Sequence, residues 1–542
     1  MKKILLTISI IGAFAVSACT DLTENVYSSL TQSSYQYSPK DLRPVVGACY
    51  TPMRSYMSHT GLWAMDNTTT DMLVMPPNST GWDDGGRYRR MHYHSWNSEQ
   101  GEIQSAWNAT WKGIGLCNNA LSQMEINQLG LDDATLKAAI AELRALRAYY
   151  YWVVLDNWGD APLVTAPTQE LPVKVSRKEI YDFVVKETTE AIPDLSDVQG
   201  GVQYGLMNKW AAYALLARTY VNAEVYTGTA QWQAAIDACD AIINSGKFQL
   251  SPNFRDNFLA DQGKMAANKE VIFTIPFDQS LATGFSLHLF SWGAPVKAAF
   301  NIASTPWGSG CAMAVPEFAA TYDEDDSRLE DSFLIGTQYK YGTDEPIKCI
   351  YDAVDGVFKD LAYTKEIQSG NFTMEWEGYR MNKFEVLPGT PGSLDNDQPI
   401  FRYAEILLTK AECLLRLGKS GAGDLVSQVR ARAFKDNPAK AAVTDAQLKE
   451  NTAQQYGYYT SDYGATLDKG DTSPVVLGRM YDEYKWEFAW EFGNRSRCIR
   501  FGVFTKKNWV SHKSLGDYTA LYPIPESART PNPGLEQNPN YK

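Results

Sequence analysis

The sequence predicts a mostly α-helical fold, in which tetratricopeptide-like helix pairs form a scaffold and long irregular loops form a ligand-binding face. Two observations point there. Apolar residues recur at helical spacing in two regions, mainly 132–250 and 401–504. Around them, residues 59–110, 251–400 and 505–542 are rich in Gly, Pro, Asn, Asp and Trp and show little periodicity. Long irregular segments inserted into a compact helical frame are usually functional loops.

The helices follow in order. Leu136, Ile140, Leu143, Tyr150 and Val153 keep a helical period. Asp132 or Asp133 offers a capping carboxylate at the start, and Asn157-Trp158-Gly159 ends the run. Asn208 to Glu224 is Ala-rich and amphipathic, and Gln231 to Ser245 follows, closed by Gly246. Together they make a hairpin of about tetratricopeptide length. Near the C-terminus, Arg402 to Leu417 stops at Gly418, Asp424 to Phe434 forms another helix, and Val475 to Phe492 a third. In the third, Leu477, Tyr481, Tyr484 and Phe488 share one face. Helix pairs too small to bury their own faces stack on their neighbours. Among the irregular stretches only Val271 to Ile275 reads as a strand. The loops are interleaved with the helices, so residues 39–542 read as one domain.

The N-terminus reads as an export leader. Lys2 and Lys3 precede an apolar run from Ile4 to Val16, followed by Ser17-Ala18-Cys19. That is a signal peptide over residues 1–18, too short for a transmembrane helix, which needs about 20 apolar residues. A cysteine directly after Ser17-Ala18 resembles a bacterial lipobox, which implies cleavage before Cys19 and acylation of its thiol. Residues 19–38 then form a lipidated N-terminus and polar tether.

Composition narrows the function classes. Formal net charge is −13, or −15 without Lys2 and Lys3. An acidic chain with no basic run is not drawn to nucleic acid by long-range electrostatics. The eight cysteines are widely spaced and form no CxxC, neither a zinc pattern nor a dense disulfide framework. No G-x-S-x-G, Walker loop, H-E-x-x-H or G-x-G-x-x-G occurs. His92 and His94 form a lone H-x-H that reads more readily as a packed or solvated loop than as a metal pair. Asp323, Glu324, Asp325 and Asp326 lack the spacing of a calcium loop and read as an acidic turn. The expectation is a protein with no catalytic residues, no metal and no cofactor.

Five stretches, in order, resemble the SusD-like (RagB/SusD) outer-membrane lipoproteins of Bacteroidetes: AELRALRAYYYWVVLDNWGDAPL, KWAAYALLARTYVNAEVYTG, FRYAEILLTKAECLLRLG, YKWEFAWEFGNRSRCIRFGVF and LYPIPESARTPNPGLEQNPNYK. The resemblance runs nearly end to end. Cys498-Ile499 stands where the family usually has Asp-Leu, and the ligand-facing loops match poorly. The resemblance implies four tetratricopeptide-like helix pairs, a cell-surface protein lipid-anchored in the outer membrane, and capture of oligo- or polysaccharide. It also implies delivery to a SusC-type TonB-dependent transporter. A peptide ligand in the same family, a glycoside hydrolase, or a purely structural lid are the alternatives.

A glycan site needs flat apolar faces for the C–H side of a sugar ring and polar groups for its hydroxyls. Two loops fit. In the first, Asn78 to Trp96, Trp82 stands beside Asp83, with Arg87 and Tyr88 following. In the second, Phe290 to Gly310, Trp307 lies between Pro306 and Gly308, and Trp292 precedes Gly293. Trp307 also resembles a family loop position where a tryptophan contacts glycan. The expected ligand-binding residues are therefore Trp82, Asp83, Arg87, Tyr88, Trp292 and Trp307. Trp107, Trp111, Trp152, Trp210 and Trp486 fall in helical patterns and read as core.

Overall fold

Among the described residues, seven of the longer helices pack in chain order, each on the next: α1 (Gly101–Glu125), α2 (Asp133–Asn157), α3 (Arg177–Ala191), α4 (Lys209–Val221), α5 (Trp232–Ile243), α6 (Tyr403–Arg416) and α7 (Ala422–Ala431). An eighth, α8 (Gly478–Phe488), packs on α6. The computed structural model describes residues 36–78, 82–307, 312–352, 356–367, 373–458 and 466–541. The predicted leader and Cys19 lie outside the described residues, as does most of the tether.

Local chemistry fixes where these helices start, including α3, which the sequence reading did not place. Asp132 accepts hydrogen bonds from the backbone N–H of Ala134 and Thr135 at 3.1 and 3.0 Å, capping α2. Ser176 and Glu179 form a reciprocal capping box at α3. Asn208 caps α4 by accepting from Trp210 and Ala211. The apolar period of α2 then turns inward: Leu143, Tyr150 and Val153 are buried. A Cβ on Gly113 of α1 would stand 2.2 Å from the Tyr150 ring, so α1 and α2 approach this closely only because that residue is glycine.

Three findings depart from the sequence reading. Helix α1 begins at Gly101, inside a stretch read as loop up to residue 110. Its buried residues Ile103, Ala106, Trp107 and Ile114 keep a helical spacing, but Gly113, Gly115 and polar residues dilute the pattern. Leu62–Asn67 is also helical and buried. The third C-terminal helix spans only Gly478–Phe488: Leu477 adopts a left-handed backbone at its N-cap, φ 56°, and Ala489 leaves the helical region at its end, ψ 136°.

The expected strand exists and finds a partner. β1 (Val271–Ile275) pairs antiparallel with β4 (Gln398–Arg402), with Gln398 opposite Ile275 and Arg402 opposite Val271. β2 (Lys348–Asp352) and β3 (Val357–Asp360) form a hairpin with Lys348 opposite Asp360. The β1–β4 ribbon is fully buried, and β4 runs directly into α6, which ties the loop side to the helix row.

Candidate ligand-binding site

A cavity of about 860 Å³ lies between residues 294–307 and the turn at 340–348. Pro295, Ile302, Pro306, Pro346 and Ile347 supply apolar surface, and Trp307 lies at its edge, 55% exposed. Lys297, Asn301, Lys340, Glu345, Lys348 and Glu375 supply the polar groups. A cavity of this size, mostly apolar with a few polar groups, is the usual form of a small-ligand site.

Trp307 is exposed yet held. Its backbone N–H donates to the Leu289 carbonyl at 3.0 Å. Its indole meets the edge of His59, ring centroids 5.1 Å apart. His59 lies on Phe290 at 4.8 Å, Phe290 on Tyr88 at 5.5 Å, and Tyr88 stacks on Trp82 at 5.7 Å. Phe290 also meets Trp63, which stacks on Trp490 in the interior. A row of rings therefore runs from the cavity edge into the core and brings both sequence-predicted loops together.

The six predicted residues do not all face the cavity. Trp307 does. Trp82 is half-buried against Tyr88 and closes a turn with Asn78, donating its N–H to Asn78 Oδ1 at 3.2 Å. Tyr88 and Trp292 are corrections. Tyr88 is 2% exposed and packs between Trp82 and Phe290. Trp292 is fully buried, stacked on Phe300 at 4.2 Å, with its indole N–H donating to the Met381 carbonyl at 2.7 Å. Neither ring presents a face to ligand. Asp83 and Arg87 are also turned to internal partners: Asp83 accepts from Arg89, and Arg87 donates to buried Glu102 at 2.6 Å. The Gly-flanked setting that marked Trp292 as exposed is a close-packing device; a Cβ on Gly293 would stand 1.6 Å from the Glu375 carboxyl.

The cavity includes residues the sequence reading did not select. The polar ones are Lys297, Asn301, Lys340, Glu345, Lys348 and Glu375; Tyr341, next to Lys340 but not itself a lining residue, is 55% exposed and donates its N–H to the Ala298 carbonyl at 2.9 Å. Lys340 is paired with Glu345 and Lys348 with Asp360. Lys297 donates to the Ala303 carbonyl at 2.9 Å and the Thr305 hydroxyl at 3.4 Å. Burial lowers the His59 proton affinity to a pKa of about 4, and the charge of Arg87 adds to it, so the ring behind Trp307 is neutral.

Other sequence candidates resolve as structure. His92 and His94 are buried, their Nε2 atoms 2.6 and 2.7 Å from the carbonyls of Val510 and Thr69. The acidic turn is bridged by Lys440, 2.6 Å from Asp323 and 2.7 Å from Asp325, while Asp326 pairs with buried Arg328. Trp107, Trp152, Trp210 and Trp486 are buried, and Trp111 is partly so.

Residues 239–519 match the model of the SusD family, and residues 39–221 match one described as starch-binding associating with outer membrane. The chain is 27% identical over 452 residues to the starch-binding protein SusD of Bacteroides thetaiotaomicron, covering 76% of this chain and 74% of that one. It is 26% identical to SusD-like protein P2 of Formosa agariphila over the whole of both chains. Among solved structures, B. fragilis NanU superposes with a TM-score of 0.71 at 19% identity, covering 95% of this chain and 100% of that one. A laminarin-binding SusD-like protein superposes at 0.67 and 19% identity, covering 93% of this chain and 100% of that one. The helix row, the five ordered motifs and a family match over more than half of the sequence agree: the chain belongs to the SusD family.

Proposed function

We propose that this protein captures oligo- or polysaccharide at the cell surface, with Trp307 as the plane on which a sugar ring stacks. The observation that carries this reading is an indole 55% exposed at the edge of an 860 Å³ cavity and backed by a neutral imidazole. The C–H face of a pyranose packs on such a ring. Asn301 and Lys297 stand at the same cavity with hydrogen-bonding groups for its hydroxyls. The starch-binding description of the family match and the starch and laminarin binding named for two similar proteins support a glycan over other ligands. The protein acts as a binder; the reading assigns it no chemistry.

In this reading Cys19 carries the lipid anchor in the outer membrane, and the captured glycan passes to a SusC-type TonB-dependent transporter. Both rest on the sequence resemblance. Loss of palmitate labelling in Cys19→Ala tests the first, and co-purification of a barrel protein from outer membranes in mild detergent tests the second.

The site is tested by retardation of residues 20–542 in starch and laminarin gels. Truncating an aromatic that dominates a small interface costs about 2 kcal/mol or more, roughly a thirtyfold loss of affinity. Trp307→Ala is expected to run unretarded and to melt like wild type. A variant that melts like wild type and is still retarded overturns the assignment of Trp307, and release of reducing ends by the wild type overturns the non-catalytic reading.

A further inference from the structure

Glu375 is the unexplained group of this cavity. Its side chain is 2% exposed, yet neither carboxyl oxygen has a hydrogen-bond partner among the described residues. Buried polar groups are nearly always bonded, so an orphan calls for a cause, and a carboxyl left without donors is the more costly kind. The residue lines the Trp307 cavity, and its carboxyl lies against the backbone of Gly293, immediately before the lining residues Ala294 and Pro295. A side chain at Gly293 would exclude it from this position.

Resting on the glycan reading, we infer that Glu375 is a specificity-determining residue: its side chain turns into the cavity and accepts hydrogen bonds from the hydroxyls of a neutral sugar ring stacked on Trp307. The ligand supplies the donors the fold omits. A carboxylate at this place selects a ring bearing neighbouring hydroxyls and rejects one bearing a carboxylate or sulfate there.

The surroundings make the claim measurable. Burial raises the Glu375 pKa to about 7, opposed by the charge of Arg380. Tyr363 and Cys349 also face it, and burial pushes both further above neutrality. His59, behind Trp307, is displaced the other way, to about 4. The remaining charged groups at the cavity are Lys297, Lys340, Lys348 and Glu345, the last three in ion pairs. Ligand donors stabilise the charged form of Glu375, so binding releases a proton near neutrality and tightens as pH rises from 6 to 8.

The test uses titration calorimetry of wild type, Glu375→Gln, Glu375→Ala and Trp307→Ala with whichever of starch or laminarin oligosaccharide retards the wild type. Two buffers of different ionisation heat report the proton. Wild type is expected to release a proton at pH 6.5 and to bind more tightly at pH 8. Glu375→Gln is expected to bind about tenfold more weakly, as for loss of a charged hydrogen bond, with no proton release and a flat pH profile. Glu375→Ala is expected to bind at least as weakly. If Trp307→Ala abolishes binding while both Glu375 variants bind and titrate like wild type, Glu375 is only structural and the inference fails while the glycan reading stands. If the wild type binds neither oligosaccharide, both fall.

Discussion

Removing the indole of Trp292 opens a hole in the interior, because Phe300 stacks on it and the Met381 carbonyl takes its N–H. Trp292→Ala is expected to cost about 3–5 kcal/mol of stability, the range for a large buried aromatic, read as a lower urea midpoint. Trp307→Ala leaves no such hole and is expected to leave that midpoint nearly unchanged, so the pair separates packing from binding. In the sequence the two look alike, each a loop tryptophan beside a glycine. What divides them is the position of residues far along the chain, Met381 behind one and His59 behind the other. Burial of this kind is not written in a local window. The exposure of Trp307 was legible because Pro306 and Gly308 exclude regular structure around it; the unpartnered burial of Glu375 was not, because nothing near it in sequence shows that its partners are missing.

Among elements, the joint between β4, α6 and α8 bears the greatest electrostatic load. Arg402, at the end of β4, donates to Glu270 at 2.6 Å, to Glu487 at 3.0 Å and to Glu491 at 2.7 Å. Arg432 donates to Glu270 and Glu487, and Arg328 lies 3.4 Å from Glu487. All are buried. Burial alone would raise the Glu487 pKa, but Arg432 and Arg402 outweigh it and pull it to about 2. Removing one member strands charges in the interior, which typically costs about 3–5 kcal/mol. Glu487→Ala is expected to lose that much in urea unfolding at pH 7; a change within about 0.5 kcal/mol, as for an ordinary surface site, would show that the network contributes little. Arg402 and Glu405 belong to one of the five family-like stretches, and Glu487, Glu491 and Arg497 to another. Those stretches are therefore recognisable for what they do to the fold. The turn at 340–348 has no such duty, follows no period, and escaped the sequence reading.

At the scale of the whole molecule, every histidine is held neutral. Burial lowers His59, His92 and His288 to about 4 and His94 to about 3, and holds His512 well below its ordinary value. A histidine depressed from an unfolded value of about 6.5 contributes stability that is complete above that pH and is lost as pH falls toward its folded value. Buried carboxylates with raised pKa, Asp66 and Asp397 at about 6 and Glu375 at about 7, act in the opposite sense. Their contribution is present at low pH and lost as pH climbs from about 4 to their folded values. The five histidines outweigh them, so the melting temperature is expected to fall between pH 6.5 and 4. The direct check is by NMR: the five imidazole Cε1–H resonances are expected to keep their neutral-form positions from pH 8 down to pH 5. A resonance that titrates near 6.5 marks a ring that is solvated after all.

The cavity walls come from residues 294–307, from 340–348 and from Glu375, and none of them lies on the helix row α1 to α7. On the binding reading proposed above, appetite and architecture are inherited on separate stretches of the gene. Substitutions in those segments then retune what is caught while the stacked helices, with their caps and buried ion pairs, stay as they are.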